Sequence, residues 1–447
     1  MRSKLLGRCI TAALLGTLSA GVPMVSSAAG FALIDQGPHG LGEAYAGGAA
    51  SAEDASTIFY NAAGITRLKK PELVIGGTLI SFNADFDKTT AVDAAGQPLS
   101  GGEGGDTGKL GGVPILYFTT PINDKAYFGI GINAPFGLST DYPTDSVMRY
   151  QATYSHVSII DLNPTLAYQF TDHFSAGIGF NYQQMNVKLA NMVDYGAVCF
   201  GNVDPITCQA IGLTPQSHDG YAEVNGDSRH AFGWNVGFLW DYDTTRVGLS
   251  YRDSITHHLN GNARFEDAPS VFTSMGLFTD SRIYADFKTP EITSLSLVHD
   301  FNKQWSMAAD FTRTGWSKFQ ELRIQFVNPN QPDSVTTEKW KDVNRFSVGL
   351  NWRYSDDWTF RTGVAQDQSP VRDAYRTPRL PDDTRTWLAF GATWRTGADS
   401  QWDVGYSHLF INGNNIPIDQ TGATGDRLVG SYKASADIFG ISYRHTY

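Results

Sequence analysis

Bulky apolar side chains alternate with small or polar ones over long stretches of this 447-residue chain. In Phe232, Trp234, Val236, Phe238, Trp240 and Tyr242 one face is largely a ladder of rings, while Gly233, Asn235, Gly237 and Asp241 hold the other. A period of two predicts a strand with unlike faces. The pattern returns in Phe174, Ala176, Ile178, Phe180 and Tyr182, and in Phe346, Val348, Leu350, Trp352 and Tyr354. It recurs in Trp402, Val404, Tyr406, His408 and Phe410, and finally in Phe439, Ile441, Tyr443 and Tyr447. A soluble sandwich places its large residues inward and uses strands of about half this length. These are long enough to cross a bilayer.

The connections alternate between two kinds. Short turns fall at Thr171–His173, Tyr242–Thr245, Phe301–Lys303, Ser355–Asp357, Thr396–Asp399 and Pro121–Asp124; long Gly/Pro/Asp-rich ones fall near 87–111, 137–154, 188–228, 260–287, 316–340, 367–384 and 412–430. These connections join fourteen strands, approximately 72–86, 112–122, 125–136, 155–170, 173–187, 229–242, 245–259, 288–301, 303–315, 340–354, 357–366, 385–396, 400–411 and 431–447. An even number of antiparallel strands, with short turns at one end and long loops at the other, describes an outer-membrane barrel. Closure removes the edges that lipid could not satisfy. The expected fold is all-β: a 14-stranded antiparallel transmembrane β-barrel, residues 72–447, plugged by an N-terminal hatch segment, residues 29–71. The hatch does not alternate; its Gly40–Ala50 stretch is small and flexible, and a short helix opened by Glu53 and Asp54 is expected after it. A segment so poor in charge has no reason to be a solvated tail. Small inward barrel residues leave room for it.

Composition agrees. Aromatics make up 13% of the chain and glycines number 46, as expected where lipid-facing residues are diluted by polar neighbours. Arg2, Lys4 and Arg8 precede an apolar run from Cys9 to Val22, and Ser26–Ala28 supplies small residues for cleavage, so 1–28 reads as a signal peptide. Losing those three basic residues takes the net charge from −11 to about −14, which opposes a nucleic-acid partner. Export leaves Cys199 and Cys208, which in an oxidising compartment are expected to pair; a metal reading finds only the solitary His218 nearby. Asp267, Asp280 and Asp382 show no EF-hand spacing, so neither metal nor cofactor is expected. Monomer is the default state.

Pro135, within Gly129–Gly137, cannot donate to a sheet ladder, and it marks either the end of a strand or a kink in it. Taken in order, Gly30-Phe31, Gly40–Gly42, Ala44–Gly47, Asn61–Gly64, Asn133–Leu138, Asn163-Pro164, Gly248–Arg252, Gly315–Ser317, Asp367–Pro370 and Pro381–Arg385 make the chain resemble the FadL/TodX family of outer-membrane transporters for long-chain fatty acids and other hydrophobic compounds. The resemblance implies capture of a hydrophobic molecule in an extracellular loop groove, passage to a lumenal pocket, and lateral release through a kinked strand into the outer leaflet. Lateral exit spares an apolar solute both lipopolysaccharide sugars and periplasmic water. Partners are therefore a fatty acid or hydrocarbon, outer-membrane lipid and lipopolysaccharide. Carried onto this sequence, the hatch contributes Phe31, Leu33, Asn61, Ala62 and Ala63, and the strand kink or gate is Asn133, Pro135, Phe136 and Gly137. Asn61 is a candidate contact to the kinked strand. The family has Asn-Pro-Ala where this chain has Asn61-Ala62-Ala63, and Gly64 could supply the missing bend. Tyr447 replaces the commoner terminal Phe.

The loop groove is expected from 188–228 and 260–287, where Val271, Phe272, Met275, Leu277 and Phe278 recur at near-helical spacing. Such a stripe in water signals binding, unless it packs on a neighbouring loop. Arg252, Arg345, Arg353 and Arg361 face inward by parity and are candidate partners for a carboxylate, or for Asp241 and Asp310. Two rival classes are weighed. A lipid hydrolase would use His156 and Ser158, neighbours on one strand face, but Asn163, the nearest orienter, falls on the other. A polar-solute porin would need an open lumen and more strands. Transport without enzymatic activity is the expectation, with aromatic or aliphatic hydrocarbons as the alternative cargo.

Overall fold

The computed structural model describes residues 30–106, 108–411 and 416–447. The expected signal peptide lies outside them. The strands are β1 (Glu72–Val92), β2 (Leu110–Pro121), β3 (Ala126–Asp141), β4 (Tyr154–Thr171), β5 (Phe174–Asp194), β6 (Asp219–Tyr242), β7 (Thr245–Arg252), β8 (Thr256–Phe265), β9 (Ser281–Lys288) and β10 (Ile292–Asp300). They continue as β11 (Trp305–Thr314), β12 (Glu321–Phe326), β13 (Ser334–Thr337), β14 (Val343–Arg353), β15 (Trp358–Asp367), β16 (Arg385–Gly397), β17 (Ser400–Ile411), β18 (Ile416–Thr421) and β19 (Arg427–Thr446). Every pairing between these strands is antiparallel, and β1 meets both β2 and β19, so the sheet closes. Successive pieces β7/β8, β9/β10, β11/β12, β13/β14 and β17/β18 each form one stave, giving the fourteen-strand barrel.

Alternation decides which face meets lipid. Ile178, Phe180, Phe232, Trp234, Phe346 and Phe410 are exposed on the outer surface, whereas the residues between them are mostly buried. Near the short turns, Trp305 stacks on Trp352 and Trp358 on Trp394, with ring centroids 5.6 and 5.8 Å apart, a girdle at the membrane boundary. No described helix is long and apolar enough to cross a membrane.

Several strands run further than their alternation suggests. β5 and β6 remain paired from Phe174↔Trp240 to Asp194↔Asp219, well into the stretch expected to be loop. Of the five staves in two pieces, two are broken by three residues each: Asp253–Ile255 separates β7 from β8, and Thr289–Glu291, containing Pro290, separates β9 from β10. The third stave differs most. Its burial alternates up to Ile132, and then Asn133 to Thr140 are all buried. Between Asn133 and Phe136 its register with β4 shifts by one residue, a β-bulge at Ala134-Pro135. The strand therefore does not stop at 136; it bends and continues to Asp141. Above Leu116↔Ile132, β2 and β3 have no ladder pairing among the described residues. The wall parts there.

Residues 30–71 lie against the inner faces of the strands. Helices α1 (Pro38–Leu41), α2 (Gly48–Ser51) and α3 (Thr57–Tyr60) contact β16, β17 and β19, then β7 and β10, then β3 and β4. A 3-10 turn, Ala62–Arg67, packs on β4, β5 and β6. The single helix expected to open at Glu53 and Asp54 is replaced by α2 and α3 on either side of these residues. Asp54 instead accepts from the Ser56 backbone N–H and hydroxyl.

Candidate functional site

The N-terminal segment takes the place that β2 leaves beside β3. Ala32 forms a β-bridge with Phe136; the Leu33 N–H donates to the Pro135 carbonyl at 2.8 Å, and the Gly137 N–H to the Phe31 carbonyl at 2.9 Å. The Gln36 side chain donates to the Ala134 carbonyl at 2.7 Å and accepts from its N–H at 3.0 Å. A bulged strand carries unpaired backbone groups, which are costly when buried. Here the N-terminal segment satisfies them.

Phe31 is buried among four rings: Trp316, Phe287, Trp340 and Phe136, with centroids 5.0, 5.3, 5.7 and 6.1 Å away. The Gly30 N–H donates to Asp382 Oδ2 at 2.9 Å, and buried Asp382 also binds Ser369 and Arg385. At the outer side of this cage Trp340 Nε1–H donates to Glu338 at 2.8 Å. Burial pushes the Glu338 carboxyl up to about 7, against the opposing pull of the Trp340 hydrogen bond and the Arg379 charge.

Beside the kink a cavity encloses about 890 Å³, open in part to solvent. Leu33, Ile34, Phe59, Tyr60 and Pro135 give it an apolar side, and Arg252 and Arg345, with Asp310 and Asp367, a charged one. Both arginines are tethered to the N-terminal segment. Arg252 donates to the Phe59 carbonyl at 3.1 Å, covers the Phe59 ring and lies 3.5 Å from Asp161. Arg345 donates to the Ala44 carbonyl at 2.5 Å and lies over Trp387.

The other two candidate arginines are elsewhere. Arg353 stands at the short-turn end, half exposed and 3.4 Å from Asp300; Arg361 is buried beneath the N-terminal segment beside Glu43 and Glu53. Neither lines this cavity. Of the acids considered as their partners, Asp241 pairs with Arg67, while Asp310 accepts from Ser296 and Thr312.

Phe31, Leu33, Asn61, Ala62 and Ala63 are all buried, but Asn61 corrects an expectation. Its amide donates to the carbonyls of Ala49 at 2.6 Å and Phe238, on β6, at 3.0 Å, and its oxygen accepts from Ala63 N–H. The hydrogen bonds to the kink itself are made by Phe31 to Gln36 instead. Gly64 serves closeness rather than bending, since a Cβ there would stand 2.0 Å from Thr57 Oγ1.

In the outer loops the apolar stripe splits. Phe272 on helix α6 (Ser270–Thr273) is buried against Tyr195, and Leu277 and Phe278 pack on the same cluster, while Val271 and Met275 stay exposed. An open groove lined by all five is therefore not formed; the neighbouring loop takes three of them. That loop holds α4 (Tyr195–Asn202) and α5 (Pro205–Ala210), joined by a Cys199–Cys208 disulfide. His156 and Ser158 alternate with buried Ser155, Val157 and Ile159, whereas Asn163 is buried on the lumenal side and donates to Asn235. The three do not converge.

Missed altogether by sequence reasoning was Gln36, which had no motif around it, and so was the aromatic cage, whose rings come from distant segments. The family described as outer membrane protein transport protein (OMPP1/FadL/TodX) matches residues 19–447. A long-chain fatty acid transport protein of Escherichia coli O157:H7 is 29% identical over 428 residues, covering 90% of this chain and 93% of its own. Among solved structures, a FadL homologue of Pseudomonas aeruginosa superposes with a TM-score of 0.86 at 23% identity, covering 94% of this chain and 100% of that one. The Ralstonia pickettii toluene transporter TbuX gives 0.65 at 19% identity, with 92% and 98% covered. The two structural likenesses are likenesses of fold.

Proposed function

This chain belongs to the OMPP1/FadL/TodX family of outer-membrane transport proteins, and on that premise we propose that it takes up hydrophobic molecules, long-chain fatty acids first among them. The observation that carries the reading is the union of three features at one place: an amphipathic lumenal cavity, a parting of the wall between β2 and β3, and an N-terminal hatch hydrogen-bonded across it. Ligand is gathered at the outer end, near exposed Val271 and Met275, and descends to the cavity. It leaves sideways once the hatch releases Pro135, passing from protein directly into lipid without crossing water.

Arg252 and Arg345 favour an acid over a hydrocarbon. Each donates to a neutral hatch carbonyl, of Phe59 and of Ala44. A carboxylate entering the cavity competes for these donors with bonds roughly twice as strong as neutral ones. Binding the acid thereby loosens the hatch beside the gap. An uncharged hydrocarbon has no such hold.

The test is uptake of labelled oleate and of toluene by a strain lacking paralogues, carrying the wild-type protein, Arg252→Ala or Arg345→Ala. Oleate uptake falls severalfold in both variants and toluene uptake does not. Oleate uptake independent of the protein would abandon the fatty-acid reading, and a selective loss of toluene uptake would replace it with the hydrocarbon one. Liposome swelling by sugars at porin rates would remove hydrophobic transport altogether.

A further inference from the structure

Beneath the hatch, at the end of the barrel that bears the short turns, lies a second chamber of about 930 Å³, open in part to solvent. Six arginines reach it, Arg67, Arg246, Arg353, Arg361, Arg395 and Arg444, against a single lining carboxylate, Glu53. The chain as a whole is acidic, with a net charge of −11, so this concentration of cations runs against its overall balance.

Arg67 pairs closely with Asp241, but the acids that compensate the other cations are shared or distant. Arg246 and Arg353 divide Asp300 between them at 3.7 and 3.4 Å, Arg361 stands 3.5 Å from Glu53 and 3.9 Å from Glu43, and Arg444 stands 3.8 Å from Glu72. Arg353 still donates to Asp300, and Arg361, Arg395 and Arg444 donate to Thr393, the Asp356 carbonyl and Gln401, but contacts of 3.5 Å and more supply charge without filling the remaining donors. Arg246 is only 6% exposed, yet its Nε and Nη2 have no hydrogen-bond partner among the described residues, and neither do the Nε atoms of Arg67 and Arg361. Buried N–H groups left unmet are costly, and the guanidinium fork matches oxyanions bidentately.

We infer that this chamber is an oxyanion site that takes a phosphate group, either free or on a small headgroup. The six guanidiniums come from the hatch turn and from β7, β14, β15, β16 and β19, so they converge from several directions. A tetrahedral dianion offers acceptors in all of them, whereas a carboxylate offers two oxygens in one plane. Arg67 belongs to the hatch and the other five to the wall, so a bound phosphate ties the hatch to the barrel from below.

The experiment uses the full protein in neutral detergent and phosphate-free buffer, titrated calorimetrically with inorganic phosphate and with glycerol 3-phosphate. Saturable binding is expected that weakens as chloride is raised, and that weakens roughly tenfold in Arg246→Gln through loss of a charge-assisted contact. Arg353→Gln, at a half-exposed position, gives the same direction of change should the first variant fail to fold. Tighter binding of glycerol 3-phosphate assigns the site to a headgroup, and equal binding assigns it to free phosphate. No saturable heat with either probe, or an affinity unchanged in the folded variants, overturns the assignment.

Discussion

The backbone N–H of Leu33 donates to the carbonyl of Pro135 at 2.8 Å, joining the segment that closes the lumen to the residue at which β3 leaves the wall. Proline is what makes the partnership necessary, because its nitrogen has no proton and the bulge around it breaks the ladder. The plug and the gap in the wall are thus one hydrogen-bonded unit, and a change at either is felt at the other.

Gln36 should be the most sensitive point of that unit. Gln36→Ala deletes two neutral hydrogen bonds to Ala134 and leaves its N–H and C=O unpaired, a local cost of about 2–3 kcal/mol. Amide hydrogen exchange at Ala134, Phe136 and Gly137 should accelerate by one to two orders of magnitude, about what that energy gives, while exchange in β4 and β5 stays as it was. Unaltered protection at Ala134 would falsify the idea that the hatch stabilises the kink.

Gly237→Ala should dislodge the hatch from the opposite wall. An added Cβ would stand 1.8 Å from Asn61 Oδ1 and 3.0 Å from Ala62 N, so Asn61 must give up its bonds to Ala49 and Phe238. Trypsin should then cut after Arg67 in the folded barrel. Gly201→Ala, where nothing lies within 4 Å of the added atom, is the control and should leave the digestion pattern unchanged.

The barrel was legible because lipid enforces alternation, and the rows of inward glycines, Gly237 among them, betrayed room for a plug. Beyond the membrane that constraint lapses: β5 past Val187 carries polar side chains on both faces, and β6 before Arg229 alternates polar residues with mostly small ones, so neither shows the bulky apolar ladder that marks a lipid-facing strand. Depth was equally hidden. Arg345 and Arg353 share a face by parity, but eight residues of strand separate them by about 27 Å, which puts one at the cavity and the other at the short-turn end. Parity assigns a side of the sheet and says nothing of height. Asn61 misled for a different reason: its side chain could be placed inside the barrel, but only the three-dimensional course of residues 30–71 decides which strand it meets.

The disulfide should matter to the outer loop and not to the barrel. Cys199 and Cys208 are both buried in the cluster that holds Tyr195, Leu213 and Phe272. Replacing both by serine removes a short covalent loop worth about 3 kcal/mol by chain-entropy reckoning. Exchange should rise across residues 195–213, and the thermal transition of the barrel should stay put, since β5 and β6 remain paired below the loop. A barrel transition lowered in step with the loop would show that the two are not independent.

Glu338 should make the docking of the N-terminus sensitive to pH. Its carboxyl, raised by burial to about 7 from an ordinary 4.5, binds a proton more tightly in the folded protein than in the unfolded chain. Its contribution to stability is therefore complete below about pH 4.5 and is lost as pH rises through 7. The group it touches is Trp340, whose ring lies 5.7 Å from that of Phe31, so the loss falls on the aromatic cage around the hatch. Corrected for the intrinsic pH dependence of the exchange chemistry, protection of the Phe31 amide should be weaker at pH 8 than at pH 5. Glu338→Gln keeps an acceptor for the Trp340 N–H but cannot titrate, and should flatten the dependence. If the variant instead reproduces the wild-type profile, the titrating group is not Glu338 and the cage is indifferent to its charge.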